Sequence, residues 1–161
     1  MPNWGYLFVS FLYHLGLAVW IGGIVVLGAL VAPRLFSTLE RPQAGEIFGS
    51  VLRRFARLRL VAIMTVIAAA GVKSLVWELS PASGGGTIWI LIRWGLIAWL
   101  TLTVVYEIVM LEPAMRASHA GSRAGGTGEA AARERFSRLH VRSERLMKVS
   151  LLAALAALFL N

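Results

Sequence analysis

The chain has 161 residues, 58% of them hydrophobic, and a mean hydropathy of +0.72, which is unlike an ordinary soluble domain. The formal net charge is +8, but the basic residues stand beside long apolar stretches, so we expect a lipid bilayer and no nucleic acid as partner. Cysteine is absent, which excludes disulfides and thiolate metal ligands.

Four apolar stretches, taken in chain order, predict four membrane-spanning helices, because each span needs about 20 mostly apolar residues. The first stretch carries no formal charge and is followed by Pro33, which predicts that its helix ends there. The last stretch, Leu146–Leu160, is short and spans only if its charged first turns enter the membrane boundary or the bilayer thins. The predicted spans are about 6–32, 60–77, 88–111 and 143–160.

The segments between these spans differ in composition. Ser37–Arg59 combines arginines with apolar residues at helical spacing, which predicts an amphipathic helix at the membrane interface. Ser80–Gly86 and the glycine-rich stretch 121–128 predict loops. Glu129–Arg145 predicts a charged helix that continues directly into the last span.

The basic residues indicate which side of the membrane each segment faces. Arg34–Arg59 contains six of them and Arg116–Lys148 contains eight, whereas the Ser80–Gly86 loop and the termini contain none. The positive-inside rule therefore places both basic segments in the cytoplasm and both termini outside. The predicted fold is all-α, a single-domain antiparallel bundle of four transmembrane helices with cytoplasmic amphipathic segments.

Ionisable residues within the spans are candidates for a ligand or proton site. His14 is about eight residues into the first span, roughly 12 Å from the boundary, and is either a metal or proton-relay residue or a neutral imidazole hydrogen-bonded between helices. Glu107 is near the cytoplasmic end of the third span, at the depth of His140. An ion pair of Glu107 with Arg142 or Arg145 is the simplest interpretation, and a proton or substrate gate is the alternative. The candidate ligand or proton site comprises His14, Glu107, His140 and Ser143.

Other singled-out residues have simpler interpretations. Trp20, Gly22 and Gly23 are expected to serve helix packing, because small residues allow backbones to approach. Lys73 and Arg93, near the outer ends of their helices, are expected to extend to the lipid headgroups, and Glu78 could pair with either.

The depth at which each histidine is expected to lie in the membrane limits the possible metal sites. His14 and His140 differ by more than about 15 Å along the helices, so a haem ligated by both is not expected. Copper(I) accepts methionine and histidine ligands, and the weak candidates are His14, His140, Met64, Met110 and Met147. We favour the absence of a cofactor, with haem or copper as the alternative.

Three stretches carry a family resemblance: His14–Gly23, Ala32–Phe36 with Gln43–Gly45 and Phe48, and Phe136–Ser143. Their order and spacing resemble the DUF4149 family, the bacterial relatives of the TMEM205-like membrane proteins. That family is distantly similar to the CopD copper-resistance domain and the HemJ-type haem-biosynthesis proteins. The resemblance implies a four-helix core in the bacterial inner membrane, and it implies no defined activity.

No catalytic motif is present, and a non-enzymatic role is favoured. We expect a protein that handles or transports a small ligand or metal, or that supports a membrane complex, with a homodimer as a further expectation. A copper- or haem-binding redox protein of the CopD or HemJ type is the alternative.

Overall fold

The computed structural model describes residues 3–78, 87–123 and 129–160, and these form four long helices without strands. The predicted Ser80–Gly86 loop and residues 124–128 of the predicted glycine-rich loop lie outside the described residues. The helical segments are α1 (Asn3–Val25), α2 (Ala32–Thr38), α3 (Arg41–Lys73), α4 (Thr87–Tyr106), α5 (Glu112–Arg123) and α6 (Glu129–Phe159).

Three π-helical segments make the first three long helices continuous. Val26–Val31 joins α1 to α2, Ser74–Glu78 extends α3, and Glu107–Leu111 joins α4 to α5. At the ends of the first and third segments the amide of Ala32 donates to Leu27 and that of Glu112 donates to Glu107, each five residues back. We call the four continuous units the first to fourth helices.

The prediction that Pro33 ends the first helix is wrong, since the helix continues through it to Thr38. Proline has no amide hydrogen to donate, and here it follows the π-helical segment Val26–Val31, where the hydrogen-bond pattern of the helix changes. The amphipathic helix predicted before the second span leads directly into it, because α3 begins at Arg41 and continues unbroken into the apolar stretch.

Three of the described helices are long and apolar enough to cross a membrane: Trp4–Thr38, Gln43–Glu78 and Ile88–Ala117. The fourth helix does not meet the same measure among the described residues, because Glu144, Arg145 and Lys148 fall within its last 18. Apolar side chains cover much of the outside of the fold, as lipid contact requires. The chain is therefore an all-α protein with apolar helices suited to a bilayer.

The first and second helices are in close contact. A Cβ atom built on Gly16 would lie 2.6 Å from Val66 Cγ2 and 2.9 Å from the carbonyl oxygen of Ala62, so only glycine allows this approach. Tyr6 packs edge-on against Trp77, with 5.5 Å between ring centroids, near one end of the same pair. Residue numbers rise in one helix as they fall in the other, so the two helices run in opposite directions.

The fourth helix packs against α1, α4 and α5. Its residues Ser150, Ala154 and Ala157 are fully buried, and the hydroxyl of Tyr13 donates a 3.0 Å hydrogen bond to the carbonyl oxygen of Ala157. The core shared by the four helices is therefore closed by the C-terminal helix, although that helix is the least apolar by sequence.

Candidate functional site

Each of two neighbouring helices has a row of buried residues along one face, and this row begins and ends with a charged residue. We call each row a buried stripe. Arg59 and Lys73 stand 14 residues apart on α3, and Arg93 and Glu107 stand 14 residues apart on the third helix. Fourteen residues are four helical turns, about 21 Å. Between the charges the stripes are apolar apart from Thr103, with Ile63, Val66, Ala70, Ile97, Leu100 and Val104. The antiparallel pairing of the stripes brings charged residues together at each end.

At one end, Arg59 Nη2 donates to Glu107 Oε2 in a buried ion pair. The Arg59 guanidinium carbon also lies 5.4 Å from the ring centroid of Trp20 and 5.2 Å from that of Phe55. These four residues come from three different helices, and we call them the Glu107 site. Two aromatic faces on a buried cation provide cation–π stabilisation in place of water.

Several polar atoms of the Glu107 site have no hydrogen-bond partner among the residues that the structure describes. They are Nε and Nη1 of Arg59, Nε1 of Trp20 and Oε1 of Glu107. Arg59 is 4% exposed and Trp20 is 1% exposed, so bulk solvent does not satisfy these atoms. Each unsatisfied buried polar group costs about 1–3 kcal/mol. A small polar ligand bound in this place would satisfy these donors and this acceptor.

The two glycines beside Trp20 have different surroundings. A Cβ atom on Gly23 would lie 2.0 Å from the Phe55 ring, so Phe55 packs directly on the glycine backbone while its ring faces Arg59. A Cβ atom on Gly22 would meet nothing within 4 Å. Gly23 therefore shapes the Glu107 site, whereas Gly22 does not pack on another described part of the chain.

At the other end of the stripes lies a second group of charges, which we call the Glu78 cluster: Tyr6, Lys73, Ser74, Glu78, Arg93 and Trp94. Arg93 donates to both carboxylate oxygens of Glu78, with Nη1 2.7 Å from Oε1, and its Nη2 also lies 3.0 Å from Ser74 Oγ. Lys73 Nζ lies 3.8 Å from Glu78 Oε1 and 5.3 Å from the centroid of the Tyr6 ring. Trp94 Nε1 donates to Ser74 Oγ at 3.2 Å.

The expected pairing of Glu78 is therefore present with both cations, but the expected extension of those cations to the headgroups is wrong. Lys73 is 5% exposed and Arg93 is 3% exposed. Both lie on the buried stripes of their helices, where a carboxylate, a hydroxyl and an aromatic ring replace water.

The remaining predicted site residues do not join either group. His14 is exposed on the first helix, where its Nδ1 lies 2.6 Å from the carbonyl oxygen of Ser10. His140 is exposed on α6 and Ser143 is half-buried there. The predicted ion pair of Glu107 with Arg142 or Arg145 is replaced by the pair with Arg59. Arg142 instead lies 5.2 Å from the ring centroid of Tyr106.

The candidate metal ligands do not assemble into a site. Tyr13, next to His14, bonds to Ala157, and His140 is 17 residues before Ala157 on the same helix, or about 25 Å. Among the methionines, Met64 and Met110 are exposed and Met147 packs against the core. No group of three or more His, Cys, Asp or Glu side chains able to hold a metal occurs in the described part of the chain. These residues do not fit a haem or copper centre.

Arg59 is the residue of this site that the sequence interpretation missed, because it was counted with the basic interfacial segment. A signal was present, since Phe55, Arg59, Ile63, Val66 and Ala70 follow the i, i+4, i+8, i+11, i+15 spacing of one helix face. An arginine on the apolar face of a span is expected to point inward and to find a partner.

Comparison with known proteins gives one family. The DUF4149 family, described as a domain of unknown function, matches residues 15–123, about two thirds of the chain. The matched range contains Trp20, Arg59, Glu78, Arg93 and Glu107. No curated protein and no solved structure matches the chain.

Proposed function

Because the chain belongs to the DUF4149 family, whose function is unknown, we propose its role from the geometry: it is an integral membrane protein that binds a small polar ligand at the Glu107 site. The observation that carries this proposal is the group of buried, unpartnered polar atoms on Trp20, Arg59 and Glu107. Any metal handling, any transport and the likeness to the TMEM205, CopD and HemJ proteins remain predictions from sequence.

The charge of the site selects the class of ligand. Arg59 and Glu107 form a neutral pair, so an added anion would leave one uncompensated negative charge in a buried place. A neutral molecule avoids that cost. Its acceptor oxygen would take hydrogen bonds from Arg59 and the Trp20 indole, and its donor would reach Glu107 Oε1. A primary amide or a hydroxylated molecule has both kinds of group.

The indole resonance of Trp20 tests this proposal directly. Acetamide added to the detergent-solubilised protein is expected to move the indole ¹⁵N–¹H signal of Trp20 along a saturable curve, because the indole gains an acceptor. The measurement is a two-dimensional NMR titration, with the signal assigned by Trp20→Phe. Acetate, a similar-sized anion, is expected to bind at least tenfold more weakly.

Two other tryptophans serve as internal controls for the titration. Trp99 is exposed on the lipid-facing surface, and Trp94 already donates to Ser74 in the Glu78 cluster, so neither signal should follow acetamide. A Trp20 signal that never moves, or one that moves in step with Trp99, would remove the case for a ligand at this place.

The proposal includes the membrane topology. Four helices cross the bacterial inner membrane as an antiparallel bundle, with the basic segments in the cytoplasm and both termini outside. Burial of Ala154 and Ala157 and the Tyr13–Ala157 hydrogen bond support a fourth span, because they hold the last helix against the apolar first helix. Assembly of the chain into a homodimer or a larger complex stays a prediction.

The absence of cysteine makes the topology measurable in a clean background. Single cysteines at Ser83 and Leu160 are expected to react with a membrane-impermeant maleimide added outside intact cells. Cysteines at Ser37 and Ser137 should react only after the cells are opened. Labelling of Leu160→Cys from the cytoplasmic side alone, with the other three as expected, would mean three spans instead of four.

A further inference from the structure

An apolar groove of about 700 Å³ lies on the outer surface between the first and second helices. The second helix lines it from Leu60 to Val72, and Phe8 is part of the wall that the first helix provides. Of the ten residues that line the groove, nine are apolar and the tenth is Thr65. The Thr65 hydroxyl donates a 3.0 Å hydrogen bond to the carbonyl oxygen of Val61 in its own helix. The groove therefore offers no free hydrogen-bond donor, and it suits an apolar occupant.

The length of the groove is close to the depth of one leaflet of a bilayer. Leu60 and Val72 stand 12 residues apart on the unbroken helix α3, which corresponds to about 18 Å. The hydrocarbon core of a bilayer is about 30 Å thick, so one leaflet is about 15 Å deep. An extended acyl chain beside α3 would therefore reach from one end of the groove to the other.

Three exposed arginines stand on the same face of α3, directly before the groove. Arg54 is seven residues before Val61, and Arg57 is seven residues before Met64. Seven residues are nearly two helical turns, so each arginine is in line with a residue of the groove. Arg53 is one further turn before Arg57. All three stand about 5–10 Å before the first lining residue, and the headgroup region beside the hydrocarbon core is about 5–8 Å deep.

The charge at this end of the groove indicates the kind of lipid. No acidic residue occurs from position 47 to position 77 of the printed sequence. The fourth arginine of the stretch, Arg59, points inward to Glu107 and leaves the other three at the surface. Arginine binds phosphate groups through charge-assisted hydrogen bonds. A lipid whose headgroup is net negative complements three arginines, whereas a zwitterionic headgroup brings a cation of its own.

A second copy of the chain suits the groove less well than a lipid does. Two copies in one membrane share the same orientation, so a two-fold interface across the groove would place its arginines at the depth of the same arginines in the other copy. Like charges at equal depth repel each other. A phospholipid instead brings its negative charge to the arginines and its apolar chain to the groove.

From these observations we propose that the groove and the three arginines form a binding site for an anionic phospholipid. One acyl chain lies in the groove, and the phosphate group binds Arg53, Arg54 and Arg57. In the topology proposed above, this lipid belongs to the cytoplasmic leaflet. The site shares no residue with the Glu107 site, so either site can exist without the other.

Native mass spectrometry of the detergent-solubilised protein tests the site. Phosphatidylglycerol and phosphatidylcholine with identical acyl chains are added to separate samples at equal concentrations, and the fraction of lipid-bound protein is compared. We expect phosphatidylglycerol to bind at least about fivefold more tightly, because only its headgroup is net negative. The same spectra count the protein chains, so a second copy would be seen as a dimer.

Two substitutions test the two parts of the site separately. Arg54→Gln is expected to weaken the binding of phosphatidylglycerol about fivefold, the usual contribution of one basic residue near anionic lipid, and to leave phosphatidylcholine unaffected. Ala68→Trp places a large ring in the groove and is expected to abolish the binding of both lipids, because their acyl chains are the same. Ala68 is exposed, so this ring does not enter the core.

Each substitution has a matched control on another helix. Arg145→Gln removes an exposed arginine that directly precedes the apolar stretch of the fourth helix. Ala98→Trp adds the same ring at an exposed alanine of the third helix. Neither control should change the binding of phosphatidylglycerol, because neither residue belongs to the groove or to its three arginines.

The proposal is overturned if the wild type binds the two lipids equally. It is also overturned if Arg145→Gln weakens the binding of phosphatidylglycerol as much as Arg54→Gln does, which would assign the effect to the general charge of the surface. Binding that persists in Ala68→Trp would show that no acyl chain lies in the groove. A lipid-free dimer that Ala68→Trp separates would identify a second copy as the occupant instead.

Discussion

Replacement of Arg59 by glutamine is expected to lower the free energy of unfolding by about 3–5 kcal/mol, because it leaves the buried Glu107 carboxylate without its cation. The cation–π contacts with Trp20 and Phe55 are lost in the same variant. The double variant Arg59→Met with Glu107→Leu should recover most of the loss, since apolar groups of similar volume can replace a buried ion pair at little cost. Unfolding in mixed micelles, followed by circular dichroism, compares the wild type, Arg59→Gln and the double variant.

Arg57→Gln is the matched control for Arg59→Gln. Arg57 stands two residues earlier on the same helix but is exposed, so its replacement should change the free energy of unfolding by no more than about 0.5 kcal/mol. Equal effects at Arg57 and Arg59 would show that Arg59 is as solvated as a surface residue. The Glu107 site would then not be the buried place on which ligand binding depends.

Gly16→Leu is expected to separate the first and second helices. Even a Cβ atom at Gly16 would lie 2.9 Å from the Ala62 carbonyl oxygen, and that backbone atom cannot move without moving α3. Overpacking usually costs about 1–3 kcal/mol, and an isobutyl group against backbone should exceed that range. The expected result is loss of the cooperative unfolding transition, measured by the same mixed-micelle titration.

Gly22→Leu introduces the same side chain in the same helix, at a position where a Cβ atom would meet nothing within 4 Å. Its free energy of unfolding should stay within about 0.5 kcal/mol of the wild type. The pair therefore compares one chemical change in two environments. A large loss at Gly22 as well would show that this face is covered in the intact protein, and would point to a contact between chains.

The helices themselves could be predicted from sequence because their apolar stretches are long and separated by charged or glycine-rich segments. The continuation of the first helix through Pro33 could not, since a proline is normally unfavourable inside a helix. A proline normally ends a helix when its missing donor is needed. In this fold the π-helical segment before Pro33 changes the hydrogen-bond pattern, which no periodicity of apolar residues reveals.

The residues of the candidate site could be predicted from sequence only in part. Glu107 was identifiable as a carboxylate inside a span, and Trp20 as a large residue beside glycines. Which of the many arginines reaches Glu107 depends on the rotation of α3 in the fold, and that rotation is limited by close contacts such as that of Gly16 in α1 with Val66 in α3. Those contacts join residues about 50 positions apart, beyond the reach of local patterns.

The buried Glu107 and the half-buried Glu78 both belong to π-helical segments, Glu78 at the end of Ser74–Glu78 and Glu107 at the start of Glu107–Leu111. A π-helical turn contains one residue more than the α-helical turn it replaces, so it acts as a one-residue insertion in a regular helix. Deletion of one residue there would restore regular winding and rotate everything beyond it by about 100°. Insertion or deletion of a single residue at these two places is therefore expected to disrupt the fold more than most substitutions would.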